Sequence, residues 1–500
     1  MTAAVRGAPA DLLVDGTWRA ASGGRRFAVH DPATGEPIAE VSDATADDAR
    51  AAVGAAHRAG PGWAGRPPRE RAEILRRVHD LMTGDAARLA RLIVAESGKA
   101  LADAHAEVAY AADFFRWYAE EAVRGAGEFL RAPSGGRHIL VLHRPVGVCV
   151  LITPWNFPAA MATRKIAPAL AAGCSVVLKP AALTPLTALA VAELTERAGV
   201  PPGVVNVLPT RTPDAVVRPM LADPRVRKLS FTGGTATGRT LLEQAAGQIL
   251  NCSMELGGNA PFLVFADADL DAAVEGALAA KMRNGGQACT AANRFYVERP
   301  VHAEFVARFA AAMGRLRVGP GLDERTDVGP LISAAARDDV AALVQEAVDG
   351  GARPLVGGHP LEGPGYFFPP TVLTDVPPGS RVLHEEIFGP VAPVLPFDTE
   401  DEAVAAANHT EYGLIAYLYT SDLDRGLRLT HALETGMVGL NQGVISDPAA
   451  PFGGVKQSGL GREGGHHGLL DYLEPVYVGV AEPRRDRRRA FTHAVAQWGQ

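Results

Sequence analysis

Lysine is almost missing from this chain: Lys99, Lys165, Lys179, Lys228, Lys281 and Lys456 stand against 43 arginines in 500 residues. Each lysine retained in such a composition carries more information than usual. Cysteine is equally scarce, and Cys149, Cys174, Cys252 and Cys289 show no metal-ligand spacing. Four thiols in a chain this long exclude a disulfide framework and point to reduced cysteines and no metal site. Long apolar runs are absent too. The longest, around Val146 to Ile152, is far too short to span a bilayer, and the opening MTAAVRGAPADLLVDG lacks the apolar stretch of a signal peptide, so a cytoplasmic protein free of the membrane is expected. A net charge of −7 spread along the chain disfavours nucleic acid as a partner.

What remains is ordinary globular material, 47% hydrophobic and 21% charged, long enough for two large domains and a small appendage. After a short extended opening, Leu12 to Ile38, apolar residues recur at helical spacing over 46–59, 69–97 and 101–123. From Val146 the pattern changes to short apolar runs, VGVCVLIT, SVVLKP, VVNVL and KLSFTGG, separated by helical stretches at 159–172 and 187–198. Such alternation predicts a parallel sheet of Rossmann type. It resumes after Glu255 with PFLVF, a helix over 270–284, and RFYVE, which predicts a second α/β domain. HILVLHRPVG and DYLEPVYVGV read as strands of a β appendage for oligomerisation, and RRDRRR at 484–489 as part of a solvated tail.

The sharpest chemical signal is Cys289 in GGQACTAANR, 34 residues after Glu255 in MELGGNAP. A carbonyl can closely approach a thiol among small residues on a Gly-rich turn, and a nearby carboxylate can activate water to release what the thiol captures. The pair implies oxidation of a carbonyl through a covalent thioester. Cys149 and Cys174 sit in or beside strand-like runs and read as small buried hydrophobes, while Cys252, close to Glu255, stays ambiguous. Asn156 in TPWNFP could donate to an oxyanion, although a lone Asn in a turn is more often structural. Lys179 ends the SVVLKP run at the carboxyl end of a strand, where open α/β sheets bind ligands; its plain alternative is a surface lysine. FTGGTATG at 231–238 can turn backbone N–H groups towards phosphate, a weak signal when taken alone.

Together PWNFP, LKP, FTGGT, MELGGNAP, GGQAC, EEIFGP (385–390) and APFGGVKQSGLGREG (450–464) resemble, in order and spacing, the aldehyde dehydrogenase superfamily from about Leu12 to Val480. The resemblance implies two Rossmann-like α/β domains, one for cofactor and one catalytic, with a small β appendage. It places NAD(P) binding in 1–128 and 148–254, catalysis in 255–447, bridging segments at 129–147 and 467–480, and a disordered basic tail at 481–500. It further implies that Cys289 is the nucleophile, Asn156 part of the oxyanion hole and Glu255 the base for deacylation. Thr153, Trp155, Lys179, Gly233, Gly234, Glu386 and Phe388 would serve the cofactor, and the assembly would be a homodimer or homotetramer.

Two arginines narrow the substrate. Arg164, where dehydrogenases of apolar aldehydes tend to carry an aromatic, and Arg283, six residues before Cys289, together with Ser446 resemble the carboxylate grip of succinate-semialdehyde dehydrogenases. Guanidinium forks suit a carboxylate, and a buried pair would be costly without an anion. Succinic semialdehyde leads; glutaric semialdehyde, one methylene longer, or another polar aldehyde is the alternative, and a silent ligand-binding homologue the remote one. Departures from the family pattern concern the cofactor. Gly234 replaces the usual serine, and loop 208–219 lacks the usual glycines. Ala182 stands where NAD-preferring members carry a glutamate, and Arg211 could reach a 2′-phosphate, which tilts the expectation towards NADP or use of both cofactors. Ala291 occupies the place of a second, redox-active cysteine, so no switch disulfide at Cys289 is expected.

Overall fold

The structure is a computed structural model that describes residues 5–125 and 127–482. Apart from Ala481 and Glu482, the basic tail lies outside the described residues. Strands Val205–Val207, Ser175–Lys179, Val148–Ile152, Val226–Thr232 and Asn251–Glu255 lie side by side in that order, all parallel. Numbered along the chain this is the doubly wound order 3-2-1-4-5, with antiparallel pieces added at both edges, Leu12–Val14 and Thr17–Arg19 at one and Gly459–Leu460 at the other. A strand covered on both faces must be apolar throughout, and Val148–Ile152 and Ser175–Lys179 are buried at every position. Cys149 and Leu151 point into one core with the helices Pro68–Gly84, Ala86–Ser97 and Pro158–Ala172, while Val148, Val150 and Ile152 point into another with Ala46–Ala64. Period-two alternation thus builds two layers from one run. Both Cys149 and Cys174 are buried in the first of these cores, and Cys252 sits half-buried on Asn251–Glu255.

The second sheet runs Arg353–Val356, Thr371–Thr374, Val391–Phe397, Ala292–Glu298, Ala260–Val264, Ile415–Tyr419 and Met437–Leu440, parallel except for the first pair. A third, three-stranded sheet joins Glu128–Arg131, Arg137–Pro145 and Leu473–Ala481. The chain between 69 and 97 forms two helices rather than one continuous stretch, divided at Asp85. Part of the expected loop at 208–219 is helical, over Pro213–Leu221. No helix among the described residues is long and apolar enough to cross a membrane.

A buried carboxyl group supports the helix that follows the second core strand. Glu96, fully buried, accepts from the N–H groups of Leu186 and Thr187 at 2.8 Å each, occupying two orphan donors at the start of Pro185–Arg197. Replacing Glu96 by Ala leaves both donors unpaired and is expected to cost about 1–3 kcal/mol, read as a lower denaturant midpoint at unchanged slope.

Candidate active site

The strand order reverses direction between Val148–Ile152 and Val226–Thr232, which is where doubly wound sheets open a crevice at their carboxyl ends. The turns that follow these two strands, Pro154–Asn156 and Gly233–Gly234, line a cleft of about 240 Å³. From the opposite side come Cys289, Glu386 and Phe388, with Glu255, Leu256 and Met161 at the back. Of the residues singled out in the sequence, Trp155, Asn156, Gly233, Gly234, Glu255, Cys289, Glu386 and Phe388 meet here. Thr153, Lys179, Ala182, Arg211, Arg164, Arg283 and Ser446 are not among its lining.

Cys289 is presented by an unusual turn. The helix that begins at Leu270 ends at Met282, so Arg283 belongs to a short 3-10 turn, Arg283–Gly286, instead of the helix expected to run on to 284. Asn284, Gly285 and Gly286 have φ of +54°, +61° and +78°, three left-handed residues in succession. Two glycines relieve most of that strain. At Gly286 any side chain is also excluded, because a Cβ would lie 2.2 Å from the carbonyl oxygen of Gly389. Asn284 keeps its place through hydrogen bonds: its N–H donates to Asp103 Oδ2 at 2.8 Å, and its Nδ2 donates to the Asn156 and Gln287 carbonyls at 3.0 and 3.1 Å. Asn156 Nδ2 donates to the same Gln287 carbonyl at 3.1 Å, which uses one amide hydrogen and leaves the other.

Burial pushes the Cys289 thiol well above its ordinary pKa, the Glu255 carboxylate adds to this, and Arg164 opposes it. Burial likewise raises Glu255, against the pull of Arg164. The nucleophile therefore rests as a thiol beside a carboxyl group able to take its proton. Behind Glu255 is a charge cluster with no solvent access. Arg164 donates to Glu255 Oε2 at 3.4 Å and pairs through Nε with Glu463 Oε2 at 2.5 Å, and Lys165 pairs with Glu463 Oε1 and donates to Ser230 Oγ at 2.9 Å. The counter-charge of Arg164 is thus Glu463, so this arginine does not need the external anion anticipated for it. Glu463, Lys165 and Lys99 were not anticipated as site residues. Their signals were the scarcity of lysine and the GREG end of the last motif.

Arg283 is placed differently. It forms no ion pair among the described residues; its guanidinium lies over the rings of Phe157 and Tyr110, at 4.7 and 5.6 Å, and reaches Ser446 Oγ at 3.4 Å. Arg283, six residues before Cys289 in the chain, and Ser446 are brought together.

A nicotinamide dinucleotide fits the remaining residues. Lys179, 9% exposed at the end of its strand, has no ion-pair partner among the described residues, and burial lowers its pKa to about 8. Beyond the neighbouring strand, Arg211 is exposed, its backbone N–H tied to Asp43 Oδ1 at 3.0 Å. Ala182 is half-buried and adds no acid to this end of the sheet. Two cationic side chains without counter-ions suit phosphate. Gly234 caps the helix Thr235–Ala246 without a side-chain hydrogen bond and has open space around its Cα, so a phosphate can approach the backbone closely. Thr153 donates its N–H to the Lys179 carbonyl at 3.2 Å, tying the turn with Trp155 to this strand end. Trp155 and Phe388 meet edge to face at 5.4 Å, with Phe388 at φ +50°. Glu386 accepts from the Gly258 N–H at 3.2 Å; burial lifts its carboxyl to about 8, the N–H pulling the other way.

A cleft at the switch point of a doubly wound sheet, lined by a half-buried thiol, a carboxyl group and an Asn amide, defines a cofactor-dependent dehydrogenase of carbonyls. The chain matches the aldehyde dehydrogenase family over residues 18–478. It is 57% identical over 446 residues to a succinate-semialdehyde dehydrogenase of Paenarthrobacter nicotinovorans, covering 89% of this chain and 99% of that one. It is 50% identical to the NADP(+) succinate-semialdehyde dehydrogenase GabD of Escherichia coli strain K12, covering 93% and 96%. A crystal structure of an E. coli NADP dependent enzyme superposes with a TM-score of 0.94 at 49% identity, covering 95% of this chain and 98% of that one. The chain belongs to the aldehyde dehydrogenase family and is an NAD(P)-dependent oxidoreductase.

Because the charge of Glu255 raises the Cys289 pKa, Glu255→Gln is expected to shift the pH midpoint of Cys289 alkylation by iodoacetamide downwards. The same variant should form no more than one equivalent of reduced cofactor and then stall, since the thioester keeps its acyl group. A midpoint that stays in place would show that the two groups are not coupled.

Proposed function

We propose that this protein oxidises succinic semialdehyde to succinate with NADP or NAD. The observation that carries the reading is Arg283: a cation stacked on two aromatic rings and touching Ser446, with no ion pair among the described residues, close in the chain to the nucleophile. Holding a guanidinium there without a carboxylate is costly, and a substrate with an acid at its far end supplies one. Similarity to the two succinate-semialdehyde dehydrogenases supports the same choice, and the NADP(+) enzyme, together with Lys179 and Arg211, supports the cofactor.

In this reading Arg283 and Ser446 hold the distal carboxylate and set the aldehyde carbon over Cys289 Sγ. Glu255 takes the thiol proton as sulfur attacks, giving a thiohemiacetal whose oxyanion is met by Asn156 Nδ2 and the Cys289 backbone N–H. When bound, the nicotinamide supplies the acceptor for the hydride, and Glu386, Trp155 and Phe388 form the walls that orient it. Loss of hydride converts the thiohemiacetal carbon to a thioester. Glu255 gives that first proton to solvent and then draws one from water as the water oxygen attacks the thioester carbon, releasing succinate and returning the thiol. Arg164 keeps Glu255 ionisable in a buried site, and Glu463 balances both Arg164 and Lys165.

Arg283→Ala is expected to lower kcat/KM for succinic semialdehyde by about a hundredfold or more while changing that for butanal little. Equal losses on both aldehydes would make Arg283 structural and remove the substrate assignment, leaving the enzyme class intact.

We further propose a homo-oligomer built through the three-stranded sheet, in the reducing cytoplasm. The strand Glu128–Arg131 is exposed at every position, and Phe129, Leu142, Tyr477 and Val480 present apolar surface there. Phe129→Glu combined with Tyr477→Glu is expected to reduce the sedimenting species by at least a factor of two in mass; an unchanged mass would place the interface elsewhere.

A further inference from the structure

Five of the six lysines are buried, Lys456 being the exception. Lys179 faces the cofactor end of the sheet and Lys165 balances Glu463. Lys228 joins two strands by donating to Asn251 Oδ1 and Ser253 Oγ, and Lys281 donates to Asn293 Oδ1. Lys99 is left without a role in the chemistry described so far, yet it touches the turn that carries the oxyanion donor.

Lys99 is 1% exposed, between the helices Ala86–Ser97 and Leu101–Ala122. Its Nζ donates to the backbone carbonyl of Asn156 at 2.7 Å and to Glu107 Oε2 at 2.5 Å, and lies 4.1 Å from the centre of the Phe157 ring. The second oxygen of Glu107 accepts from the N–H groups of Ala159 and Ala160 at 2.8 and 3.3 Å, at the start of the helix Pro158–Ala172. The ion pair therefore grips the chain from Asn156 onwards: the carbonyl of the residue itself, the ring of the next, and the helix start beyond. A rotation of the Asn156 peptide would take the carbonyl away from Lys99 and from Asn284 Nδ2, leaving each of these buried groups one hydrogen bond short. With the peptide fixed and one amide hydrogen held by Gln287, the direction of the remaining Nδ2 hydrogen is set before substrate arrives.

We propose that Lys99, acting with Glu107, is a positioning residue for the oxyanion hole: it fixes the Asn156 peptide so that the side-chain amide meets the oxyanion formed on the aldehyde carbon. This rests on the aldehyde-oxidising function proposed above. Lys99 touches neither substrate nor cofactor; it works through Asn156. A donor displaced by about an ångström can cost roughly a hundredfold in rate, and the loss belongs in kcat because the oxyanion exists only after attack.

The test is a double-mutant cycle on the full-length protein with succinic semialdehyde and NADP. Lys99→Met is expected to lower kcat by ten- to a hundredfold with the aldehyde KM and the cofactor Kd within threefold of native. If Lys99 acts through Asn156, the double variant Lys99→Met with Asn156→Ala should be no slower than Asn156→Ala alone. Multiplying losses in the double variant, or a native kcat in Lys99→Met, would overturn the proposal and leave Lys99 a general packing residue. Should Lys99→Met fail to fold, Glu107→Gln, similar in shape and lacking the charge that pairs with Lys99, enters the same cycle under the same criterion. A native protein that oxidises no aldehyde with either cofactor would overturn the functional reading and this role together; an active native enzyme with multiplying losses overturns only the role of Lys99.

Discussion

One carbonyl oxygen holds the active site together. The peptide oxygen of Gln287 accepts from Asn156 Nδ2 and from Asn284 Nδ2, each at 3.1 Å, and so joins the turn after the first core strand to the turn that carries the nucleophile. The two turns belong to different sheets, and no strand pairing connects them. Their relative position therefore depends on buried polar contacts, which tolerate little error: a donor left without an acceptor in this interior costs as much as the bond gained. Gln287 reinforces the joint with its side chain, donating to the Asn284 and Pro330 carbonyls and accepting from the Ile332 N–H.

Around this joint the protein buries an unusual amount of charge. Arg164, Lys165, Glu255 and Glu463 form one cluster and Lys99 with Glu107 another. Buried ion pairs are weak contributors to stability because desolvation offsets their attraction. Their value here is electrostatic. Lys165 and Arg164 hold Glu463 below its ordinary pKa despite burial, and Arg164 in turn restrains the rise at Glu255. In the proposed mechanism this carboxyl group accepts protons twice per turnover, in a field set by the charges around it.

The contrast between the two arginines shows how charge allocates function. Arg283 was legible as a candidate from its six-residue distance to Cys289 and Arg164 from its place in a family motif, and both were expected to grip an anion. Arg164 is saturated by Glu463, whose position 299 residues further along the chain no local pattern reveals. Arg283 is cushioned by Phe157 and Tyr110 and touched by Ser446. Spacing could place an arginine near the thiol; only the folded chain shows which one has its charge already spoken for.

The sequence alone determined the doubly wound arrangement, because apolar runs of five to seven residues alternating with helical periodicity admit few other solutions, and it singled out Cys289, Glu255 and Asn156, which meet in one cleft, because a thiol on a Gly-rich turn needs particular neighbours. The β appendage was also legible, as HILVLHRPVG and DYLEPVYVGV pair along their whole length. Tertiary structure decided what depends on distant partners. It ended the helix before Cys289 at Met282, because the chain must turn left-handed through Asn284 to Gly286 under the Gly389 carbonyl. It made part of loop 208–219 a helix, and it brought Lys99, Glu107 and Glu463 to the site from segments far apart in sequence. Periodicity and local spacing report what a residue does to its own element; the pairing of buried charges is a property of the closed chain, since each charge must find whatever counter-charge the folded interior brings within reach.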